Sequence, residues 1–181
     1  MLLLASIVGC TGTVETDVVT PDMTSPTVLS SEECDSCGGA CTIEALSYTS
    51  RLHSDEPVDY VDTPPAGGPH NPCWAAWGVH TEPVPDDNWV HNLEHGGVVF
   101  LYNCPDGCDA DVEGMTALAT DLGGFALLTP YGDMDDKFAA VSFGMRLLTD
   151  CFDESAWRAF YEEHADHGPE STTANPGSTC M

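Results

Sequence analysis

The sequence has very few basic residues. Lys and Arg together number 4, against 30 Asp and Glu, which gives a formal net charge of −26. Nucleic acid is therefore excluded as a partner, because phosphate neutralisation needs clustered Lys and Arg. A surface this acidic instead favours solubility and the attraction of cations. The sequence also lacks a P-loop, a dinucleotide-binding fingerprint and a serine nucleophile elbow, so it shows none of these common catalytic motifs.

Long hydrophobic runs are missing as well, apart from a short apolar stretch at the N-terminus. After residue 10, no segment approaches the about 20 apolar residues that a membrane helix needs. The N-terminal stretch ends in Ile7-Val8-Gly9-Cys10, which resembles the cleavage box of bacterial lipoproteins. No Lys or Arg precedes it, so it departs from a complete signal peptide. We interpret residues 1–10 as a lipoprotein-type signal segment, with Cys10 lipidated, and expect an exported, membrane-anchored protein of the bacterial cell envelope.

Cysteine, in contrast, is abundant, with nine residues in the chain. This number is typical of exported proteins rather than cytosolic ones. If Cys10 carries lipid, an even number remains for a disulfide framework of open connectivity. These candidates are Cys34, Cys37, Cys41, Cys73, Cys104, Cys108, Cys151 and Cys180. A copper-binding pair of Cys37 and Cys41 is a second interpretation, and Cys73 is a conceivable nucleophile with His70 as its partner.

Composition divides the rest of the chain into three parts. Residues 11–33 are rich in Thr, Ser and Pro without a helical or strand period, which predicts a flexible tether. Residues 34–170 form a single domain, and residues 171–181 form a loose tail. Within the domain we expect a short strand at residues 58–61. The Pro- and Gly-rich stretch that follows, residues 63–73, forbids regular structure and predicts a rigid loop that carries His70.

The second half of the domain shows clearer periodicity. Predicted helices cover residues 89–95, stopped by Gly96-Gly97, residues 109–122, and residues 153–164 with Asp153 as N-cap. Predicted strands cover residues 98–102, 125–130 and 138–148. The order strand–helix–strand–strand–helix predicts an α+β fold with a small mixed sheet. The first crossover should place two strands parallel, and the third strand should return antiparallel by a hairpin.

Two imidazoles and a carboxylate lie within five residues, at His91, Glu94 and His95. Histidines four apart share one face of a helical turn, and neutral imidazole binds zinc, copper, nickel and iron. Glu94 is a candidate ligand, second-sphere acceptor or general base. The string His-x-x-Glu-His also matches inverted zinc peptidases, which need a distant acidic ligand. The acidic residues in position for that role are Glu162, Glu163 and Glu170.

Two blocks of sequence carry a resemblance to a known family. Pro-Pro-Ala-Gly-Gly-Pro-His at residues 64–70 and His-Asn-Leu-Glu-His-Gly-Gly at residues 91–97 are similar to the bacterial DUF3105 family, and the similarity covers residues 45–170. The family commonly has Thr-Ser where this chain has Ala66-Gly67. Its members are typically exported or membrane-anchored proteins of unknown function. The resemblance implies that the histidines at matched positions converge, namely His53, His70, His91 and His95.

These observations support three functional hypotheses. The first is a lipid-anchored, extracytoplasmic metal-binding protein that uses a His-rich copper or zinc site in metal handling or as a small metalloprotein. The second is a metal-dependent enzyme, a hydrolase with zinc or a redox enzyme with copper, in which Glu94 is the general base. The third is a structural envelope protein without metal, whose histidines fill a polar core network. The sequence does not indicate a protein partner.

Overall fold

The computed structural model describes residues 23–34 and 41–171. Within these residues, one mixed sheet of seven strands is covered by three helices, which confirms the predicted α+β class. No helix in these residues is long and apolar enough to span a membrane. The elements, in chain order, are β1 (Thr27–Glu33), β2 (Cys41–Ser47), β3 (Gly78–Val79), α1 (Asp86–Glu94), β4 (Val98–Tyr102), α2 (Asp109–Leu122), β5 (Ala126–Pro130), β6 (Phe138–Ser142), β7 (Met145–Thr149) and α3 (Glu154–His164).

Strand β4 lies inside the sheet, whose strand order is β1-β2-β7-β6-β4-β5-β3. It pairs parallel with β5 and antiparallel with β6. The parallel pair confirms the predicted crossover through α2. β3 extends the parallel part beyond β5, and β1, β2 and β7 extend the antiparallel part. Because β4 has a neighbouring strand on each side and a hydrophobic layer on each face, its side chains are largely shielded from solvent, which explains its continuous apolar sequence.

Side chains of β4 alternate between two hydrophobic layers. Val99 faces the layer that contains Trp89 and Leu93 of α1. Phe100 faces the layer of α2 and α3, where its ring centroid lies 5.1 Å from that of Trp157. Burial of each large apolar side chain stabilises the fold by about 1.5–3 kcal/mol. The sheet therefore separates α1 and the Pro-rich loop on one face from α2 and α3 on the other.

The helices follow their sequence signals closely. α2 has the predicted bounds, and the Asp153 carboxylate caps α3 by accepting hydrogen bonds from the backbone N–H groups of Ser155 and Ala156. α1 is longer than predicted, because it begins directly after Pro85, whose φ of −54° already suits a helix start. It ends at His95, where Gly96 with a φ of +87° reverses the chain.

Several strand predictions are wrong. Residues 58–61 form no strand, and the hydroxyl of Tyr60 instead donates to the Pro69 carbonyl. The predicted strand 138–148 is two strands, because Gly144 at a φ of +76° turns the chain into the β6–β7 hairpin. The predicted hairpin partner is also different, since β6 pairs with β4 rather than β5. Strands β1, β2 and β3 lack predicted counterparts, and residues 27–33 were expected to be irregular.

Candidate metal centre

The Pro-rich loop holds one side of the site in a fixed conformation. Gly67 has a φ of +152°, and a Cβ there would lie 2.9 Å from Cδ2 of Tyr48, so only glycine fits against this ring. The hydroxyl of Tyr60 donates a 2.5 Å hydrogen bond to the carbonyl of Pro69. These contacts place His70, which is fully buried, at a defined position at the end of the loop.

A buried arginine supports the start of the same loop. Arg146 on β7 has a side chain only 7% exposed, and its Nε donates to Oε2 of Glu44 at 2.6 Å. Its Nη1 donates to the carbonyl of Pro64 at 3.0 Å and lies 2.9 Å from Oδ2 of Asp62. The guanidinium thus ties the loop to the sheet through one carbonyl and two carboxylates.

His53 reaches the site through a parallel bridge with His70. The backbone N–H of His70 donates to the carbonyl of Leu52 at 3.0 Å, and the N–H of Ser54 donates to the carbonyl of His70 at 2.8 Å. The two imidazole centroids lie 4.9 Å apart. His53 is half exposed, so it forms the solvent side of the site.

The last turn of α1 supplies the other side. His91 and Glu94 are each 2% exposed, and His95 follows as the C-cap residue. Their spacing places these side chains on one helix face, as the sequence predicted. A positive charge is favoured here, because the carbonyl end of a helix carries the negative pole of its dipole.

Backbone carbonyl oxygens are hydrogen-bonded to Nδ1 of three imidazoles. Nδ1 of His70 lies 2.9 Å from the oxygen of Gly68, and Nδ1 of His91 lies 2.8 Å from the oxygen of Asn71. Nδ1 of His95 lies 3.2 Å from the carbonyl oxygen of Glu170. A carbonyl oxygen only accepts hydrogen bonds, so each ring must carry its proton on Nδ1. Each neutral ring therefore presents an Nε2 lone pair.

These Nε2 lone pairs face other acceptors. Nε2 of His70 lies 3.0 Å from Oε2 of Glu94, and Nε2 of His91 lies 3.0 Å from Nε2 of His95. With neutral rings, neither contact contains a hydrogen, and Nε2 of His70 is buried without a hydrogen-bond partner among the described residues. Only a proton or a bound cation between the acceptors makes these contacts favourable.

The charge states of two groups are set by their surroundings. Burial lowers the pKa of His91 to about 4, and the neighbouring imidazoles of His70 and His95 lower it further, so the ring is neutral at pH 7. Burial alone would raise the pKa of Glu94. The contact with the His70 side chain and the charge of Arg51 outweigh burial and hold the pKa of Glu94 below its usual value. The site therefore combines an ionised carboxylate with a neutral His91.

The structure brings most of the predicted ligands together. Donor atoms of His53, His70, His91 and Glu94 all lie within 4.8 Å of one another. His95, the remaining predicted ligand, lies outside this group and contacts it at His91, through the stacked rings and the 3.0 Å approach of the two Nε2 atoms. Glu94, which the sequence indicated as a general base, is itself a member of the cluster. Its position allows it to act as a ligand or as a base.

Two contributors were missed by the sequence reasoning. Arg51 places Nη1 3.4 Å from Oε1 of Glu94, and the signal for it was its position two residues before His53. The indole of Trp74 packs edge-on against His91 and His95, with centroid distances of 5.0 and 4.9 Å. No local pattern distinguished this tryptophan from a core residue.

An open groove of about 530 Å³ leads to the carboxylate side of the cluster. Its polar wall includes Thr49, Ser50, Arg51, Glu94 and Glu170. Glu162 and Glu163, considered as distant acidic ligands, lie on α3 across the sheet from α1. Their position argues against these two residues as ligands, whereas Glu170, the third candidate, lines the groove beside Glu94.

The described cysteines are bridged. Disulfides join Cys34 to Cys41 and Cys104 to Cys108, and Cys73 and Cys151 are also disulfide-bonded. Cys41 is therefore not half of a copper-binding pair, and Cys73 is not a free nucleophile. The predicted sites at Cys10, Cys37 and Cys180 lie outside the described residues.

Fold and site together define a small α+β protein with a half-buried cluster of histidines and one glutamate. The chain matches the family described as "Protein of unknown function (DUF3105)" over residues 52–177. It belongs to that family, which confirms the resemblance in its sequence. No curated protein and no solved structure matches the chain significantly.

Proposed function

We propose that this protein binds one copper or zinc ion through His53, His70, His91 and Glu94. One observation carries the proposal: Nε2 of buried His70 and the carboxylate of Glu94 are two acceptors 3.0 Å apart. Nδ1 of the same ring is already committed to a backbone carbonyl. A metal ion between these groups removes the conflict and uses both lone pairs.

The donor set suits this assignment. Metal-binding histidines usually donate their second ring N–H to a carbonyl or carboxylate, and His70 and His91 both do so here. Metal–nitrogen bonds of about 2.1 Å put tetrahedral ligand atoms about 3.4 Å apart, so the donor atoms, which lie within 4.8 Å of one another, move closer together when they bind an ion. Three imidazoles and a carboxylate are compatible with either zinc or copper.

The role that best fits this site is metal handling or that of a small metalloprotein. The half-exposed ring of His53 gives an ion a direct path from solvent. The net charge of −26 attracts cations to the whole surface. We place this activity in the bacterial cell envelope, with the chain anchored through lipid on Cys10.

A metal-dependent enzyme is the second candidate, and the groove beside Glu94 is the observation that favours it. Bound zinc would supply Lewis-acid chemistry, and bound copper would supply redox chemistry. In this case His53, His70 and His91 hold the ion. Glu94 accepts a proton from a water or substrate in the groove, and Arg51 keeps its carboxylate ionised.

Elemental analysis tests the proposal directly. The full chain, purified without an affinity tag, should contain close to one equivalent of copper or zinc, and chelation should lower its melting temperature. Absence of copper, zinc and iron, together with unchanged melting after chelation, would leave the structural envelope protein as the remaining hypothesis. An open coordination position would favour the enzyme, whereas four protein ligands would favour handling or storage.

A matched pair of variants assigns the metal to this cluster. His70→Gln removes a buried ligand and should abolish stoichiometric binding. His164→Gln is the control, because His164 lies on α3 against Phe160, on the other face of the sheet. Equal metal content in the two variants would place the ion elsewhere.

A further inference from the structure

Arg51 is one of only 4 Lys and Arg residues in the chain, and it lies beside the cluster of histidines and Glu94. The other three basic residues pair with carboxylates elsewhere: Lys137 with Asp111, Arg146 with Glu44 and Asp62, and Arg158 with Asp121 and Glu154. Arg51 contacts Glu94 at 3.4 Å, near the outer limit for a hydrogen bond, and its side chain is 47% exposed. A guanidinium has five N–H donors, this contact involves one nitrogen, and Arg51 is among the residues that line the groove.

The groove brings Arg51 and the cluster to one opening. Its walls carry the hydroxyl-bearing residues Thr49 and Ser50 beside Arg51, and Glu94 connects it to the cluster. A ligand in this groove can contact the guanidinium with one oxygen and the metal side with another. The Glu94 carboxylate already shows this arrangement, since its Oε1 lies 3.4 Å from Nη1 of Arg51 and its Oε2 lies 3.0 Å from Nε2 of His70.

We infer that the metal-loaded site binds a small monocarboxylate, which bridges the metal ion and Arg51. This inference depends on the proposed metal function. A bound cation shares the negative charge of Glu94 and so weakens its attraction for Arg51. The guanidinium then becomes available to an external carboxylate, and the groove mouth becomes a positive point on an acidic molecule.

A monoanion fits this groove better than a dianion. Glu94 and Glu170 both line it, and the whole chain carries a net charge of −26. Attraction to the guanidinium and the metal ion and repulsion from these carboxylates both double for a phosphate dianion, whereas the cost of removing the anion from water rises with the square of its charge. Acetate should therefore bind more tightly than inorganic phosphate.

Cobalt(II) is a suitable probe metal, because its visible absorption changes with coordination number. The full chain loaded with cobalt is titrated with acetate, then separately with phosphate, at pH 7. Acetate should change the spectrum to saturation. With both proteins saturated with cobalt, Arg51→Gln should weaken acetate binding about ten- to a hundredfold, and Arg158→Gln, which removes an exposed arginine on α3, should behave as wild type.

The outcomes separate the two proposals. Failure of the wild-type chain to bind cobalt would remove the metal function and this inference with it. A cobalt spectrum that acetate leaves unchanged would overturn the inference alone, as would equal acetate affinity in wild type and Arg51→Gln. Tighter binding of phosphate than of acetate would refute the assignment to a monocarboxylate.

Discussion

Nε2 of His70 lies 3.0 Å from Oε2 of Glu94, where the two side chains are 0% and 2% exposed. The Nδ1 hydrogen of His70 is committed to the Gly68 carbonyl, so the neutral ring turns a lone pair toward a carboxylate. Two facing acceptors are costly in a buried place. Removing the charge of Glu94 should therefore not destabilise the metal-free protein, but it should weaken metal binding.

The variant Glu94→Gln tests this relationship. Its amide can donate to Nε2 of His70, so the metal-free variant should melt no lower than metal-free wild type. Zinc or copper affinity, measured by calorimetry, should fall at least about tenfold. Glu163→Gln on α3 is the control and should leave the affinity unchanged. If the variant kept its metal affinity but lost all catalytic turnover, Glu94 would instead be the general base of a metal-dependent enzyme.

A second prediction concerns the support of the His70 loop. Arg146→Ala leaves the carboxylates of Glu44 and Asp62 without their buried partner, and should cost about 2–4 kcal/mol in the free energy of unfolding. Because the same guanidinium holds the carbonyl of Pro64, metal affinity should fall as well. Denaturant titration and calorimetry measure the two effects.

The exposed Arg158 on α3 provides the comparison for Arg146. Arg158→Ala breaks surface ion pairs with Asp121 and Glu154, which contribute little because solvent screens them. Its effect on unfolding should be small beside that of Arg146→Ala. Equal destabilisation by the two substitutions would argue that the buried guanidinium network does not hold the loop.

A third prediction concerns pH. Burial raises the pKa of Asp86 at the start of α1, although hydrogen bonds from the backbone N–H of Asp87 and from Tyr131 oppose the shift. The folded state therefore binds this proton more tightly than the unfolded state does, so the Asp86 contribution to stability grows as pH falls toward the ordinary value of 3.8.

The variant Asp86→Asn isolates this group without a charge, because the asparagine Oδ1 can accept from the N–H of Asp87 and its Nδ2 can donate to the hydroxyl of Tyr131. Its stability relative to wild type should be greatest at pH 7 and should decline on acidification to about pH 4. Thermal unfolding of metal-free protein across this range provides the measurement. A difference that is constant with pH would show that Asp86 titrates alike in the folded and unfolded chains.

The last prediction concerns the N-terminus. If Cys10 carries lipid, Cys10→Ser should move the protein from the membrane fraction to the soluble fraction of the cells that express it. Loss of two acyl chains removes the anchoring free energy of about 0.8 kcal/mol per buried CH₂. Immunoblots of separated fractions measure the partitioning, and an unchanged distribution would refute the lipoprotein assignment.

Elements with strong local signals were predictable. α2 and β4 have their predicted bounds, because a continuous amphipathic or apolar pattern identifies each one without reference to the rest of the chain. β1 was missed since it is an exposed edge strand, so no alternation of apolar and polar residues reveals it. The prediction of a strand at residues 58–61 was wrong although the segment has an apolar pattern, because the segment does not join the sheet.

The sequence alone determined the family, the α+β class and the pairing of His91 with His95 on one helical turn, because local spacing and motif blocks encode these features. The family resemblance also implied that His53 and His70 converge with His91. Only the tertiary structure decided that Glu94 rather than His95 completes this cluster, that His70 and Glu94 meet as buried acceptors, and that Arg51 lies at the opening. Contacts between a Pro-rich loop and a distant helix depend on how the sheet packs both elements onto one face, which local pattern does not record.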